Sequence, residues 1–291
     1  MVDDRIAVNR SKPSSAAPCA LFAAATAGLA GAVYWFSAGT AAGREIDAYL
    51  LRHGSHGLVE AIGNTLVFLA PPTAALGALA LFGTAWRAGR RGDAIRAVAI
   101  VAGAPVVARV AKMLLEDRDP LGTEASRQLG TGFFPSGHAA IVMALCLAAL
   151  LVAPWPRRRL LLAVGVYASA LGFAIAAGRS HHLSDVYGAF LLAAAVAALG
   201  LVRRTPPRGE DPNAGAGLAV AHIVIVIAAI IAGILLLESW RIAGEPRDLA
   251  GLTATATAAS AAAFLILAGY ERLLRRTAPD GGRICARLLR R

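Results

Sequence analysis

Phe134-Pro135-Ser136-Gly137-His138, the unbroken apolar run from Ala139 to Ala153, and then Pro154-Trp155-Pro156-Arg157-Arg158-Arg159 form the stretch that decides the fold. Pro, Ser and Gly suit the entry to a helix, where free amides need partners and the chain must turn. The run behind them carries no charge, and 137–155 comes close to the roughly 20 apolar residues that cross a bilayer. Three arginines close it. A polar start, an uncharged middle and a basic stop describe one membrane helix with a defined direction, its arginines on the cytoplasmic side.

The same pattern recurs on both sides of this segment. Eight apolar runs are long enough to span: 18–40, 60–86, 94–115, 137–155, 159–178, 184–202, 217–238 and 250–270. Composition agrees. Of 291 residues, 57% are hydrophobic and 16% charged, against about 25% charged in an ordinary soluble domain. Disorder is excluded, since it requires low hydrophobicity and high charge. A disulfide framework is excluded too. Of three cysteines, Cys19 and Cys146 lie within apolar runs and Cys285 in a basic tail. The fold class expected is all-α, a polytopic membrane protein.

The net charge of +11 invites a nucleic-acid reading. The positions of the arginines argue against it. They stand between the apolar runs, and no recognition motif or aromatic platform accompanies them. With the N-terminus in the cytoplasm, most basic residues fall inside: Arg5, Arg10 and Lys12; Arg87, Arg90, Arg91 and Arg96; Arg157 to Arg159; Arg203, Arg204 and Arg208; and the arginines from Arg272 onward. Both termini are then cytoplasmic, as expected for an inner (plasma) membrane protein of bacterial type. Pro71-Pro72 falls inside the second span and is expected to kink it. The organisation expected is a tail at 1–16, a six-helix core at 17–205, a polar linker at 206–216 beginning Pro206-Pro207-Arg208-Gly209, two further membrane helices within 217–270, and a basic tail at 271–291 facing anionic lipid.

This topology brings three polar segments to the outer face. They are Lys112 to Pro120 after the third helix, Phe134 to His138 before the fourth, and Arg179 to Asp185 between the fifth and sixth. A helix start with free amides and the positive end of a dipole is an anion site. Gly137 lets a ligand approach the backbone, Ser136 adds a hydroxyl, and His138 adds a proton donor or acceptor. Lys112 is one of only two lysines and suits a phosphate oxygen as a point charge. His181 and Asp185 are four apart and share a face on a helix or at a loop-to-helix junction. A carboxylate on one ring nitrogen fixes the tautomer and strengthens the other as a base, the arrangement of nucleophilic catalysis. The same pair would also serve as two ligands of a metal site, which needs a third. The charged outer loop with Arg44, Glu45, Asp47, Arg52, His53 and His56 reads as solvated. His182 reads as a neighbour of the site rather than a participant.

The three segments together resemble the type 2 phosphatidic acid phosphatase superfamily. Its motifs are Lys with Arg-Pro seven and eight positions on; Pro-Ser-Gly-His; and Ser-Arg, five residues, His, three residues, Asp. Pro135 to His138 matches the second motif in full. Lys112 and Pro120 match the first, and His181 and Asp185 the third, with the likeness spanning about 60–203. Two arginines depart from it: Asp119 and Ile175 stand in their places. Arg118 lies one position early, and Arg179 lies one helical turn, ~6 Å, beyond position 175. The resemblance implies His181 as nucleophile forming a phosphohistidine, Asp185 as its orienter and His138 as general acid. Lys112, Ser136, Gly137, Arg118 and Arg179 would hold the phosphate. It implies no metal and no cofactor. The function expected is hydrolysis of a phosphate or diphosphate of an isoprenyl lipid or glycerolipid entering from the membrane. Transfer of the phosphoryl or phospho-head group to a lipid or sugar acceptor is the alternative, and a non-catalytic lipid transporter or binding protein on the same fold is a third.

Overall fold

The computed structural model describes residues 16–45, 47, 58–115, 134–153, 157–177, 181–202, 204 and 246–277. The described residues contain helices and no strand. The helices are α1 (Ala16–Gly39), α2 (Leu58–Arg87), α3 (Arg91–Leu115), α4 (Gly137–Val152), α5 (Arg158–Ala177), α6 (Leu183–Leu201) and α7 (Pro246–Arg276). Five of them, α1, α2, α3, α5 and α6, contain stretches long and apolar enough to cross a membrane. The chain is an all-α polytopic membrane protein. The expected span at 217–238 lies outside the described residues.

Each described helix begins and ends within a few residues of its apolar run, because Pro, Gly and Arg punctuate both. Pro71 and Pro72 lie inside α2, and the helix runs through them. At 16 residues, α4 is the shortest, about 24 Å of helix against a hydrocarbon core of about 30 Å. Its length follows from its place. Ala139, Ala140, Val142 to Ala144, Cys146 to Ala148 and Leu150 to Val152 are all buried, so α4 is sheathed by the other helices.

Small residues make this packing possible. In a bilayer, helix association depends on close backbone approach rather than on expulsion of water. One core cluster joins Cys19 and Ala23 of α1, Ala104 of α3, Met143 and Leu147 of α4, Ala168 of α5, Ala193, Ala194 and Ala197 of α6 and Leu267 of α7. A second, smaller one joins α2, α3 and α4 around Leu81, Ala97 and Ala148. The last helix continues beyond the expected end at Tyr270, through Glu271, Leu273 and Leu274, which are buried. Within this extension Arg272 and Arg275 remain exposed.

At one end of the bundle, arginines gather the carbonyls that helix ends leave without partners. Arg90 donates to Leu151 O (3.0 Å) and Val152 O (2.8 Å) at the end of α4. Arg157 donates to Ala153 O (2.8 Å), and Arg96 to Gly200 O (3.1 Å) at the end of α6. Asp93, 4% exposed, holds them together. Both its oxygens accept from Arg204 at 3.0 Å, and Oδ2 also accepts from Arg90 at 2.8 Å.

Candidate active site

The opposite end of the same helices carries the residues singled out for chemistry. Helices α4 and α6 start there and α3 finishes there. Ser136 caps α4, its Oγ accepting from Ala139 N at 3.3 Å. A cis peptide joins Phe134 to Pro135. The Ser136 amide donates to the carbonyl of Asp185 at 3.1 Å, a bond that ties the Pro-Ser-Gly-His segment directly to the start of α6. Residues 49 apart in sequence thus share one backbone contact, and side chains of the two segments meet. The rings of His138 and His181 lie 6.3 Å apart, centroid to centroid, inclined at 53°. Lys112 lies in the last turn of α3, at this same end.

Asp185 serves two partners with one oxygen. Its Oδ2 accepts from the His182 amide at 2.9 Å, closing the N-terminus of α6. The same Oδ2 lies 3.5 Å from His181 Nδ1. A carboxylate in the first turn also answers the positive end of the α6 dipole. Asp185 and His181 are 3% and 12% exposed at their side chains, so the pair is nearly out of solvent. At 3.5 Å the ring contact is longer than a good hydrogen bond, and catalytic contacts of this kind tighten when substrate arrives. With Nδ1 turned to Asp185, Nε2 is the ring nitrogen left for chemistry.

Among the described residues, a Cβ built on Gly137 meets no atom within 4 Å. Beside it Ser136 is fully buried. Its oxygen accepts at the cap, so its hydroxyl retains a proton to donate. Ile175, in the place of a family arginine, is 2% exposed within the apolar core and contributes no polar group. Arg118, Asp119, Pro120 and Arg179 lie outside the described residues, as do His53, His56 and His222. Among the described residues, no three His, Cys, Asp or Glu side chains gather as metal ligands would.

One residue was misplaced by sequence reasoning. Asp47 does not lie in a solvated loop; it is 7% exposed. The chain after α1 doubles back so tightly that a Cβ on Gly43 would stand 2.1 Å from Phe36 O. The Thr40 hydroxyl accepts from Gly43 N at 3.0 Å and starts a new helical turn at 41–45. Asp47 follows and reaches α6. Its Oδ1 accepts from Ser184 N (3.3 Å), its Oδ2 accepts from the Ser184 hydroxyl, and its carbonyl oxygen lies 3.4 Å from His182 Nδ1. Burial pushes the Asp47 carboxyl above its ordinary range, and the Ser184 hydrogen bond works against that rise. His182 is thus the capping residue of α6. Its position beside the site agrees with the reading of it as a neighbour.

Phe134 wedges the arrangement from the side. Its ring packs 5.1 Å from that of Tyr34 on α1 and against Gly188 on α6, where a Cβ would come within 2.2 Å of Phe134 Cζ. Only glycine admits the ring there.

Residues 94–208 match the family model described as PAP2 superfamily, the superfamily that the three motifs resemble. The matched segment holds Lys112, Ser136, His138, His181 and Asp185, and the match supports a phosphatase-type function on a phosphoester at a coarse level. Neither the curated proteins nor the solved structures compared with the chain gave a match.

Proposed function

We propose that this protein is a membrane lipid phosphatase that hydrolyses a phosphate or diphosphate of an isoprenyl lipid or glycerolipid through a phosphohistidine. The observation that carries this reading is the meeting of His138, His181 and Asp185 at the starts of two helices, with Lys112 beside them. Two helix N-termini and a lysine present positive potential to an anion, which is what phosphoryl transfer requires most.

The chemistry follows from the roles the geometry allows. His181 Nε2 attacks phosphorus and forms a P–N bond as the P–O bond to the leaving group breaks. His138 delivers its proton to that departing oxygen. Asp185 stabilises the positive charge that grows on His181. Water then attacks the phosphohistidine while His138 takes back a proton. Phosphate leaves and His181 is restored. Lys112, the Gly137 amide and the Ser136 hydroxyl bear the charge on the phosphoryl oxygens. Arg118 and Arg179 are assigned the same task in place of the arginines missing at 119 and 175. Because the site lies at the ends of apolar helices, a lipid substrate reaches it from the outer leaflet with its chains still in the bilayer. The arginine-rich end, with both termini, is then cytoplasmic.

The altered arginine positions favour one second reading, transfer of the phosphoryl or phospho-head group to a lipid or sugar alcohol. The test is phosphate release by purified protein from a panel of lipid mono- and diphosphates in EDTA, beside His181→Ala. Release that disappears in the variant supports the hydrolase. Acceptor-dependent turnover without free phosphate supports the transferase. Full activity in His181→Ala overturns both.

A further inference from the structure

We propose that Asp47, on the segment between α1 and α2, is a positioning residue that holds the His181–Asp185 pair in its working geometry by clamping the first turn of α6. The inference rests on the reading of that pair as the reacting machinery, and it concerns a residue outside the 94–208 segment matched by the family model.

The clamp is three contacts deep. Both carboxylate oxygens of Asp47 bind Ser184, one at its amide and one at its hydroxyl, and the Asp47 carbonyl oxygen faces His182 Nδ1. His182 and Ser184 immediately flank Leu183, and they lie between His181 and Asp185. Any tilt of this turn changes the 3.5 Å separation of His181 Nδ1 and Asp185 Oδ2. The amides at the α6 start are divided between two carboxylates, Asp185 taking that of His182 and Asp47 that of Ser184. Together the two acids fix the turn from both sides. Asp47 touches neither His181 nor His138 in any of these bonds, so it acts through the turn and not on the substrate.

Burying a carboxylate is costly unless it is well bonded, and here burial already raises the acid above its ordinary range. A residue needed only to tie α1 to α6 would be served by an apolar contact such as Tyr34 on Phe134, which lies at the same end. A carboxylate with both oxygens engaged on one residue instead sets an orientation. That is what a nucleophile needs, since displacement by an ångström costs about 100-fold in rate.

The experiment compares Asp47→Ala and Asp47→Asn in the full-length protein, in detergent with a lipid phosphate substrate, and repeats Asp47→Ala in an Asp185→Asn background. Asp47→Ala is expected to lower kcat per folded enzyme by about 10- to 100-fold, with KM nearly unchanged. Asparagine, which can accept from the Ser184 amide and donate to its hydroxyl, is expected to restore most of it. In the Asp185→Asn background the Asp47→Ala effect should shrink, because the contact it maintains is already impaired. Unchanged kcat in Asp47→Ala, or an undiminished effect in that background, overturns the proposal. If Asp47→Ala does not fold, Ser184→Ala removes the hydroxyl contact alone and should lower kcat several-fold; no change there overturns it equally. A separate arm needs no turnover: diethyl pyrocarbonate modification followed by mass spectrometry. His181 should be modified faster in Asp47→Ala, and His138 at the same rate. Equal rates at His181 refute the clamp. Lack of phosphate release by the wild type refutes only the phosphatase reading.

Discussion

Replacing Asp185 by asparagine separates its two duties. The side chain of asparagine can place an oxygen where Oδ2 now accepts from the His182 amide at 2.9 Å, so the cap on α6 survives. What disappears is the negative charge 3.5 Å from His181 Nδ1. In the proposed mechanism His181 becomes positive as it attacks phosphorus, and that charge faces Asp185 across a nearly dry gap. At 3.5 Å and an effective dielectric constant of about 20, two unit charges attract by about 5 kcal/mol. At 1.36 kcal/mol per decade this sets a ceiling between three and four powers of ten in rate. The amide dipole of asparagine retains part of it, leaving an expected fall of roughly 10²- to 10³-fold in the chemical step.

Single-turnover release of phosphate from a saturating lipid phosphate, with enzyme in excess, isolates that step. Thermal unfolding in the same detergent supplies the control. Asp185→Asn should unfold near the wild-type temperature, whereas Asp185→Ala, which also loses the cap, should lose about a further 1 kcal/mol of stability. A single-turnover rate for Asp185→Asn within a few-fold of wild type would refute the assignment of Asp185 as the partner of the nucleophile. So would a rate loss matched by an equal loss of folded protein, because the residue would then be a cap and nothing more.

Three other outcomes are expected. Asp93→Ala strands the Arg204 guanidinium, 2% exposed, and should cost about 3–5 kcal/mol; an unchanged thermal midpoint refutes the buried ion pair. Gly188→Ala drives a methyl group into the Phe134 ring, at 2.2 Å from Cζ, and should cost about 1–3 kcal/mol while lowering kcat; Phe134→Leu in the same protein should recover part of both, and no recovery refutes the wedge. The raised pKa of Asp47 has a definite sign in stability. Its contribution is fully present below the ordinary value of 3.8 and is lost as pH rises through the higher folded value. Thermal midpoints measured from acid to neutral pH should therefore fall for the wild type relative to Asp47→Asn; parallel curves contradict the burial of an ionisable carboxyl.

The spans were legible because a bilayer leaves few alternatives: apolar runs bounded by Arg, Pro and Gly coincide with α1 to α6 to within a few residues. The pairing of His181 with Asp185 was legible as well, since a spacing of four across a loop-to-helix junction needs no tertiary information. Asp47 was not. Its partner Ser184 is 137 residues away in sequence, and among Arg44, Glu45 and Arg52 an aspartate looks like one more solvated charge. The available signal was the Thr40 to Gly43 turn, which announces a new helical turn and not a loop. Asp93 was overlooked for a related reason. A single acid among Arg87, Arg90, Arg91 and Arg96 disappears in a reading that counts only cations for topology, although one acid amid many arginines is where a buried ion pair is to be sought.

The arginines themselves have a second function that hydropathy alone does not reveal. Helices α4 and α6 run in the same direction, from the His138 and Asp185 end to the Arg90 and Arg96 end. Their macrodipoles are therefore parallel, each equivalent to about half a positive charge at its start and half a negative one at its finish. At the finish, Arg90, Arg157 and Arg96 bond the terminal carbonyls of the two helices. At the start, the carboxylates of Asp185 and Asp47 take the amides of His182 and Ser184 on α6, whereas among the described residues α4 is capped by the neutral hydroxyl of Ser136. The positive end of α4 thus meets no carboxylate in these contacts, and it lies beside His138 and the open space at Gly137. A substrate phosphate would supply at α4 the negative charge that two aspartates supply at α6. In the proposed mechanism this difference between two parallel helices favours an anion at the start of α4, beside the proposed nucleophile at the start of α6.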